Sequence, residues 1–157
     1  MNLHRRTITC VGGVLGMLGT ALPLAAQRRQ LAKRFLNRGD QKPPGYTHTV
    51  VSPPGRMVFI SGQGGTDASG KLPDDFATQC TNTFDNLKAC LELGGARFED
   101  VVKINYYVTS MSSTEELRRI RARYLNMDKP PAATLVQVAA LGKGMLLEIE
   151  AIAMIPE

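Results

Sequence analysis

Leu147-Glu148-Ile149-Glu150-Ala151-Ile152-Ala153-Met154-Ile155, the last apolar run of the 157-residue chain, decides the fold. Side chains of a strand alternate between two faces. Leu147, Ile149, Ala151, Ala153 and Ile155 therefore share one side. Leu146, Glu148, Glu150, Ile152 and Met154 share the other. Both sides carry apolar residues, so both faces of the sheet need cover. Helices upstream in the chain can cover one. The other calls for a second copy of the chain.

Working back from this strand, Ala133–Ala140 reads as its predecessor, with Gly142-Lys143-Gly144 as a hairpin turn between them. Pro130-Pro131 ends a short helix that buries Leu117, Ile120 and Tyr124. Ser112 and Ser113 each have a glutamate three residues on, Glu115 and Glu116, the pattern of a capping box. Val101–Thr109 is a strand. Phe76, Cys80, Phe84, Leu87 and Leu91 recur at spacings of four and three, which is one stripe on a helix. Asp74 and Asp75 suit its positive end, and Gly94-Gly95 stops it. Met57–Ser61 and Tyr46–Ser52 are two further strands, split by the turn Pro53-Pro54-Gly55. The order β-β-α-β-α-β-β predicts an α+β fold, a single sheet with two helices on one face.

The N-terminus reads differently. Arg5-Arg6, an apolar stretch from Val11 to Leu24 and the small pair Ala25-Ala26 predict a signal peptide over residues 1–26, cleaved after Ala26. The stretch is short for a bilayer span, and Pro23 interrupts its end. The arginine pair with Thr7 and Ile8, and the glycine-bearing core, resemble a twin-arginine export signal. That resemblance implies a periplasmic protein. Residues 27–44 form a basic connector, helical around Leu31, Phe35 and Leu36, holding Arg28, Arg29, Lys33, Arg34, Arg38 and Lys42 against Asp40 alone. The formal charge of +5 is thus concentrated in the leader and connector. A near-neutral body over residues 45–157 does not fit a nucleic-acid protein. With 43% hydrophobic and 21% charged residues, the chain has the means to bury a core. Cys80 and Cys90 sit on one helix about 15 Å apart along its axis, too far for a disulfide, so both read as core cysteines.

Glu148 and Glu150 lie on one strand face, about 6–7 Å apart. Desolvation and mutual repulsion are expected to raise their pKa values. A carboxylate of that kind serves as general acid or base toward water; the plainer alternative is a structural pair at a subunit contact. Ser61-Gly62-Gln63-Gly64-Gly65 offers backbone N–H groups and a hydroxyl to an anion or carbonyl oxygen. No Gly-Lys-Ser/Thr follows it and no helix opens directly after it, so phosphate-loop and dinucleotide readings fail. His48 is the one histidine beyond the leader, and no metal-ligand spacing surrounds it, so neither metal nor cofactor is expected. Of Tyr106-Tyr107 one ring belongs to the core. Arg118, Arg119, Arg121 and Arg123 read as the solvated face of the second helix, with a phosphate site as a minor option.

These residues resemble those of the RidA (YjgF) family. Gly45-Tyr46 and Phe59-Ile60-Ser61-Gly62-Gln63 are similar to its opening, and Gln79, Thr83 and Asp85-Asn86-Leu87-Lys88 to its first helix. Asp100-Val101-Val102-Lys103 is similar to its third strand, and Leu147–Ala153 to its closing strand. The resemblance spans residues 45–155. It implies a chorismate-mutase-like fold, a homotrimer, and clefts at subunit interfaces. It also implies cofactor-free hydrolysis of 2-imino acids to ammonia and a 2-keto acid. In such members an arginine grips the substrate carboxylate and a glutamate positions the attacking water. The glutamate corresponds to Glu148, and the cleft-lining tyrosine, serine and glycine to Tyr46, Ser61 and Gly62. Deaminating members read Pro-Ala-Arg-Ser where this chain reads Pro131-Ala132-Ala133-Thr134, so Ala133 holds the arginine's place. Leu135 stands where cysteine is frequent, and Arg118 near the place of an asparagine. A guanidinium–carboxylate fork is strong and directional, and its loss costs on the order of several kcal/mol where the charge is desolvated. The resemblance therefore implies small-molecule clefts lined by Tyr46, Ser61, Gly62, Ala133, Thr134 and Leu135, with Glu148 catalytic. The expected function is an imine or enamine deaminase of altered specificity. The alternative is a non-catalytic small-ligand-binding trimer. The near-neutral body and the export signal weigh against the endoribonuclease label the family also carries.

Overall fold

The computed structural model of the protein describes residues 32–40 and 42–157. The leader expected over residues 1–26, and the connector through Leu31, lie outside the described residues.

The first described strand is a correction. Arg34–Leu36 (β1) is extended rather than helical and pairs antiparallel with Thr49–Val51 (β2). Thr49, Val50 and Val51 are β-branched and fit a pleated surface, and pairing with them overrides the weak helical pattern of the connector. The two form a ribbon of their own, so the expected single sheet holds four strands instead. These are Gly55–Gly64 (β3), Val101–Val108 (β4), Ala132–Gln137 (β5) and Leu147–Pro156 (β6).

Their order is β3-β6-β4-β5. β6 is antiparallel to both neighbours, whereas β4 and β5 run parallel. The last two strands are therefore not a hairpin. Gly142–Gly144 is a single 3₁₀ turn, and it leads the chain from the sheet's edge to its interior. A parallel pair needs a crossover, and Thr114–Arg121 (α2) supplies it between β4 and β5.

Phe76–Leu93 (α1) has the expected stripe: Cys80, Phe84, Leu87 and Leu91 are fully buried. Asp75 caps it, its carboxylate accepting from the Thr78 amide at 2.8 Å. Gly95, at φ 73°, turns the chain away after the helix. α2 lacks the expected capping box. Ser113 makes no side-chain cap, and Glu115 and Glu116 pair instead with Arg118 and Arg119 one turn on. The cap at this corner comes from Ser110, whose hydroxyl accepts from the Ser112 amide.

The core lies between the helices and one sheet face. Tyr106 of β4 is buried in it, as are Ile104, Val108, Leu147, Ile149 and Ala153. Burial pushes the Cys80 thiol up to about 12, which marks it as packing rather than a nucleophile. Across the sheet, Met57, Phe59 and Val136 stand exposed, Phe59 at 70%, with Ile152 and Met154 beside them. Among the described residues no helix is long and apolar enough to cross a bilayer.

Candidate functional site

β3 carries an irregularity at the residues singled out by sequence. Ile60 pairs with Ala151 and Gln63 with Ile149, so Ser61 and Gly62 together oppose the single residue Glu150. Such a bulge re-aims side chains. Gly62 has no side chain, and the Glu148 carboxylate fills the space. A Cβ on Gly62 would stand 1.8 Å from Glu148 Oε1. Ser61, Gly62 and Glu148 are thus brought together. α1 holds the following glycine loop: Asn86 Nδ2 donates to the carbonyls of Gly64 and Thr66, each at 2.9 Å, and Asn82 Nδ2 to that of Gly65 at 3.1 Å. Gly65 packs so closely on Gln79 that a Cβ would lie 2.6 Å from its Cα.

Glu150, two residues further along the same face, has a different environment. Its Oε1 accepts from Asn105 Nδ2 at 2.7 Å and from the Tyr107 hydroxyl at 2.8 Å. Hydrogen bonds to the charged form favour it. The Asn105 bond, and next that of Tyr107, hold the Glu150 carboxyl below its ordinary range, while the bond to Glu150 raises the Tyr107 phenol. The expected upward shift at Glu150 is overturned, because donors outweigh desolvation there. Glu148 accepts no hydrogen bond among those described.

Thr134 lies on this outer face as well, accepting from Lys103 Nζ at 2.6 Å. Burial lowers the Lys103 pKa, and the nearby Glu150 charge opposes that shift. A cleft of about 260 Å³ opens here, lined by Phe59, Ser61, Lys103, Asn105, Glu150 and Ile152.

Ala133 and Leu135 point the other way, packed against the core on the helix side of β5. They line a hollow of about 170 Å³ with Pro44, Tyr46, Tyr106, Leu117, Arg118 and Arg121. Thr47 anchors the segment that carries Tyr46: its amide donates to the Pro131 carbonyl at 3.1 Å and its hydroxyl to that of Pro130 at 2.6 Å. The predicted site residues therefore fall into two groups on opposite faces of the sheet. Ser61, Gly62, Glu148 and Thr134 are on the outer face; Tyr46, Ala133 and Leu135 are on the helix side.

Arg121 is the residue that reading the sequence as a solvated arginine face missed. It is 8% exposed and lies in the hollow. Arg118, also on the rim, is tied to Glu115. The signal was spacing: Arg121 follows Leu117 by four and precedes Tyr124 by three, so it sits on the buried stripe. Among the described residues no cluster of His, Cys, Asp and Glu is built to hold a metal.

Comparison with known proteins places the chain among relatives over most of its described length. The family described as Endoribonuclease L-PSP matches residues 41–155. Protein DfrA of Myxococcus xanthus is 32% identical over 130 residues, covering 80% of this chain and 98% of that one. The 2-iminobutanoate/2-iminopropanoate deaminase of Escherichia coli K12 is 32% identical over 102 residues, covering 63% and 80%. The crystal structure of RidA from the Antarctic bacterium Psychrobacter sp. PAMC 21119 superposes with a TM-score of 0.62 at 39% identity, covering 70% of this chain and 88% of that one. With the family model spanning residues 41–155 and relatives aligned over most of their length, the chain belongs to the L-PSP (RidA/YjgF) family.

Proposed function

We propose that the chain is a cofactor-independent deaminase of an imine or enamine, with Glu148 positioning the attacking water. The observation that carries this is the Glu148 carboxylate set on the Ser61–Gly62 bulge with no protein donor bound to it among the described hydrogen bonds. Glu150, by contrast, is occupied by Asn105 and Tyr107. A free carboxylate accepts a proton from water as the oxygen attacks the C=N carbon. The carbinolamine then loses ammonia, with the proton returned to nitrogen, and a carbonyl remains. Backbone N–H groups at the bulge are available to an oxygen of the substrate.

The split of the site residues between two sheet faces supports completion of the site between copies of the chain. The exposed Met57, Phe59 and Val136 give such copies an apolar surface to share. Specificity departs from short 2-imino acids because Ala133 offers no donor where deaminating relatives place a guanidinium. That same absence favours a second reading, a trimer that binds a small ligand without turning it over.

Ammonia release from 2-iminopropanoate tests both. Wild-type release is expected to be weak. Ala133→Arg, made with Arg121→Asn so that two guanidiniums do not share one hollow, is expected to raise kcat/KM by at least about tenfold. Vigorous wild-type turnover would remove the claim of altered specificity. Absence of turnover on any imine, with a ligand bound, would favour the second reading.

Export belongs to the same proposal. The N-terminus of the exported chain is expected at Gln27 by peptide sequencing. An exported chain that still carries Arg5-Arg6 would overturn the cleavage site.

A further inference from the structure

We propose that Arg121 is the anion-binding residue of this chain: from α2 it supplies the positive charge that Ala133 cannot supply from β5, and it seats a small organic carboxylate.

The guanidinium is buried, at 8% exposure, yet no carboxylate pairs with it among the described ion pairs. Its Nε is buried without a hydrogen-bond partner, and the polar group facing the guanidinium, the neutral Tyr106 hydroxyl of the same hollow, supplies no balancing charge. Its neighbours on the helix differ: Arg118 and Arg119 each have their own glutamate. Leaving a buried charge unpaired is costly, and folds that keep such a charge keep it for a partner. Gly45 shows that the position is built. At φ 82° it presents only its Cα, and a Cβ there would stand 1.5 Å from Arg121 Nη2. The chain thus leaves room for the planar head to lie flat against its backbone.

The rest of the hollow chooses the ligand. Leu117, Ala133 and Leu135 are apolar, and Tyr46 stands at the rim, 37% exposed. A fork of donors over an apolar floor fits an acid with an apolar body better than inorganic phosphate. Because the charge comes from the helix and not the strand, the acid head sits elsewhere in the cleft than in relatives with a strand arginine. This deepens the deaminase reading and rests on it only in taking this hollow as the substrate's.

Benzoate and its neutral counterpart benzamide are the probes, titrated calorimetrically into the full chain. Wild type is expected to bind benzoate at least about tenfold more tightly than benzamide. Arg121→Gln is expected to lose that preference, with benzamide affinity unchanged. Arg123→Gln, an exposed arginine outside the hollow, is expected to behave as wild type. Without ligand, Arg121→Gln is expected to melt no lower than wild type, since it removes an unpartnered buried charge. Arg121→Lys, which keeps the charge but not the fork, is expected to fall between. Equal benzoate affinity in wild type and Arg121→Gln overturns the proposal. So does wild-type indifference to the probe's charge, or collapse of both Arg121 variants without ligand. Ammonia release is measured separately. Benzoate binding through Arg121 without release on any imine would sink the deaminase reading and leave this one standing; release with an unaffected Arg121→Gln would do the reverse.

Discussion

Glu148→Gln is expected to lower kcat/KM for the chain's best imine substrate by about 100- to 10,000-fold, the range general-base removal usually costs. The amide keeps the length and shape of the side chain, so the contact with Gly62 survives. What is lost is the ability to take a proton from water. Glu150→Gln is the comparison. Glu150 already accepts from Asn105 and Tyr107, so its oxygens are engaged with the protein. It acts on the site by fixing those two side chains, and its loss is expected to be milder. A second comparison is Gly62→Ala. The added methyl would collide with Glu148 Oε1, and the carboxylate would have to leave the bulge. Its effect is expected to approach that of Glu148→Gln while the glutamate itself remains. Steady-state ammonia release, with circular dichroism to verify folding, measures all three. If Glu150→Gln is the damaging change and Glu148→Gln is not, the roles of the two carboxylates are reversed.

The two carboxylates show what sequence can and cannot tell. Their placement on one face followed from the two-residue period of β6, and the structure agrees. Their charge state did not follow, because Asn105 and Tyr107 come from β4, 45 and 43 residues away. The α1 stripe was legible because one helix packs one face on the core, and Phe76 to Leu91 carry that period. Strand order was not. Ala133–Ala140 and the closing strand are adjacent in sequence, with a glycine turn between, yet β6 enters between β3 and β4. Local signals describe a turn; they do not say which neighbour the next strand takes. β1 was misread as helical because Leu31, Phe35 and Leu36 stand at helix-like spacing, and it is pairing with Thr49–Val51 that makes Arg34–Leu36 extended. The division of the site residues between two faces is a three-dimensional fact, even though Ala133 and Thr134 are neighbours in the chain.

Phe84→Ala is expected to cost about 3–5 kcal/mol of stability, the usual range for removing a buried aromatic ring. Phe84 is fully buried on α1. Its ring stacks on Tyr124 with centroids 4.8 Å apart and planes 12° from parallel, and Phe98 lies 6.3 Å away. The Tyr124 hydroxyl, at the far side of that stack, donates to Asp85 at 2.9 Å, so the tyrosine is fixed and cannot slide in to fill the gap. Burial and the Asp85 bond together raise the Tyr124 phenol to about 12, so it remains a donor at all ordinary pH. A domain of this size has roughly 5–15 kcal/mol in total, and the loss corresponds to a fall on the order of 10–20 °C in Tm. Phe84→Leu keeps most of the volume and is expected to cost less than about 1.5 kcal/mol. Leu93→Ala, on the same helix but 89% exposed, is expected to stay within about 0.5 kcal/mol of wild type. Urea unfolding, with all variants at one protein concentration, measures the series. If Phe84→Ala and Leu93→Ala cost the same, α1 is not held to the sheet by the stripe that its spacing defines.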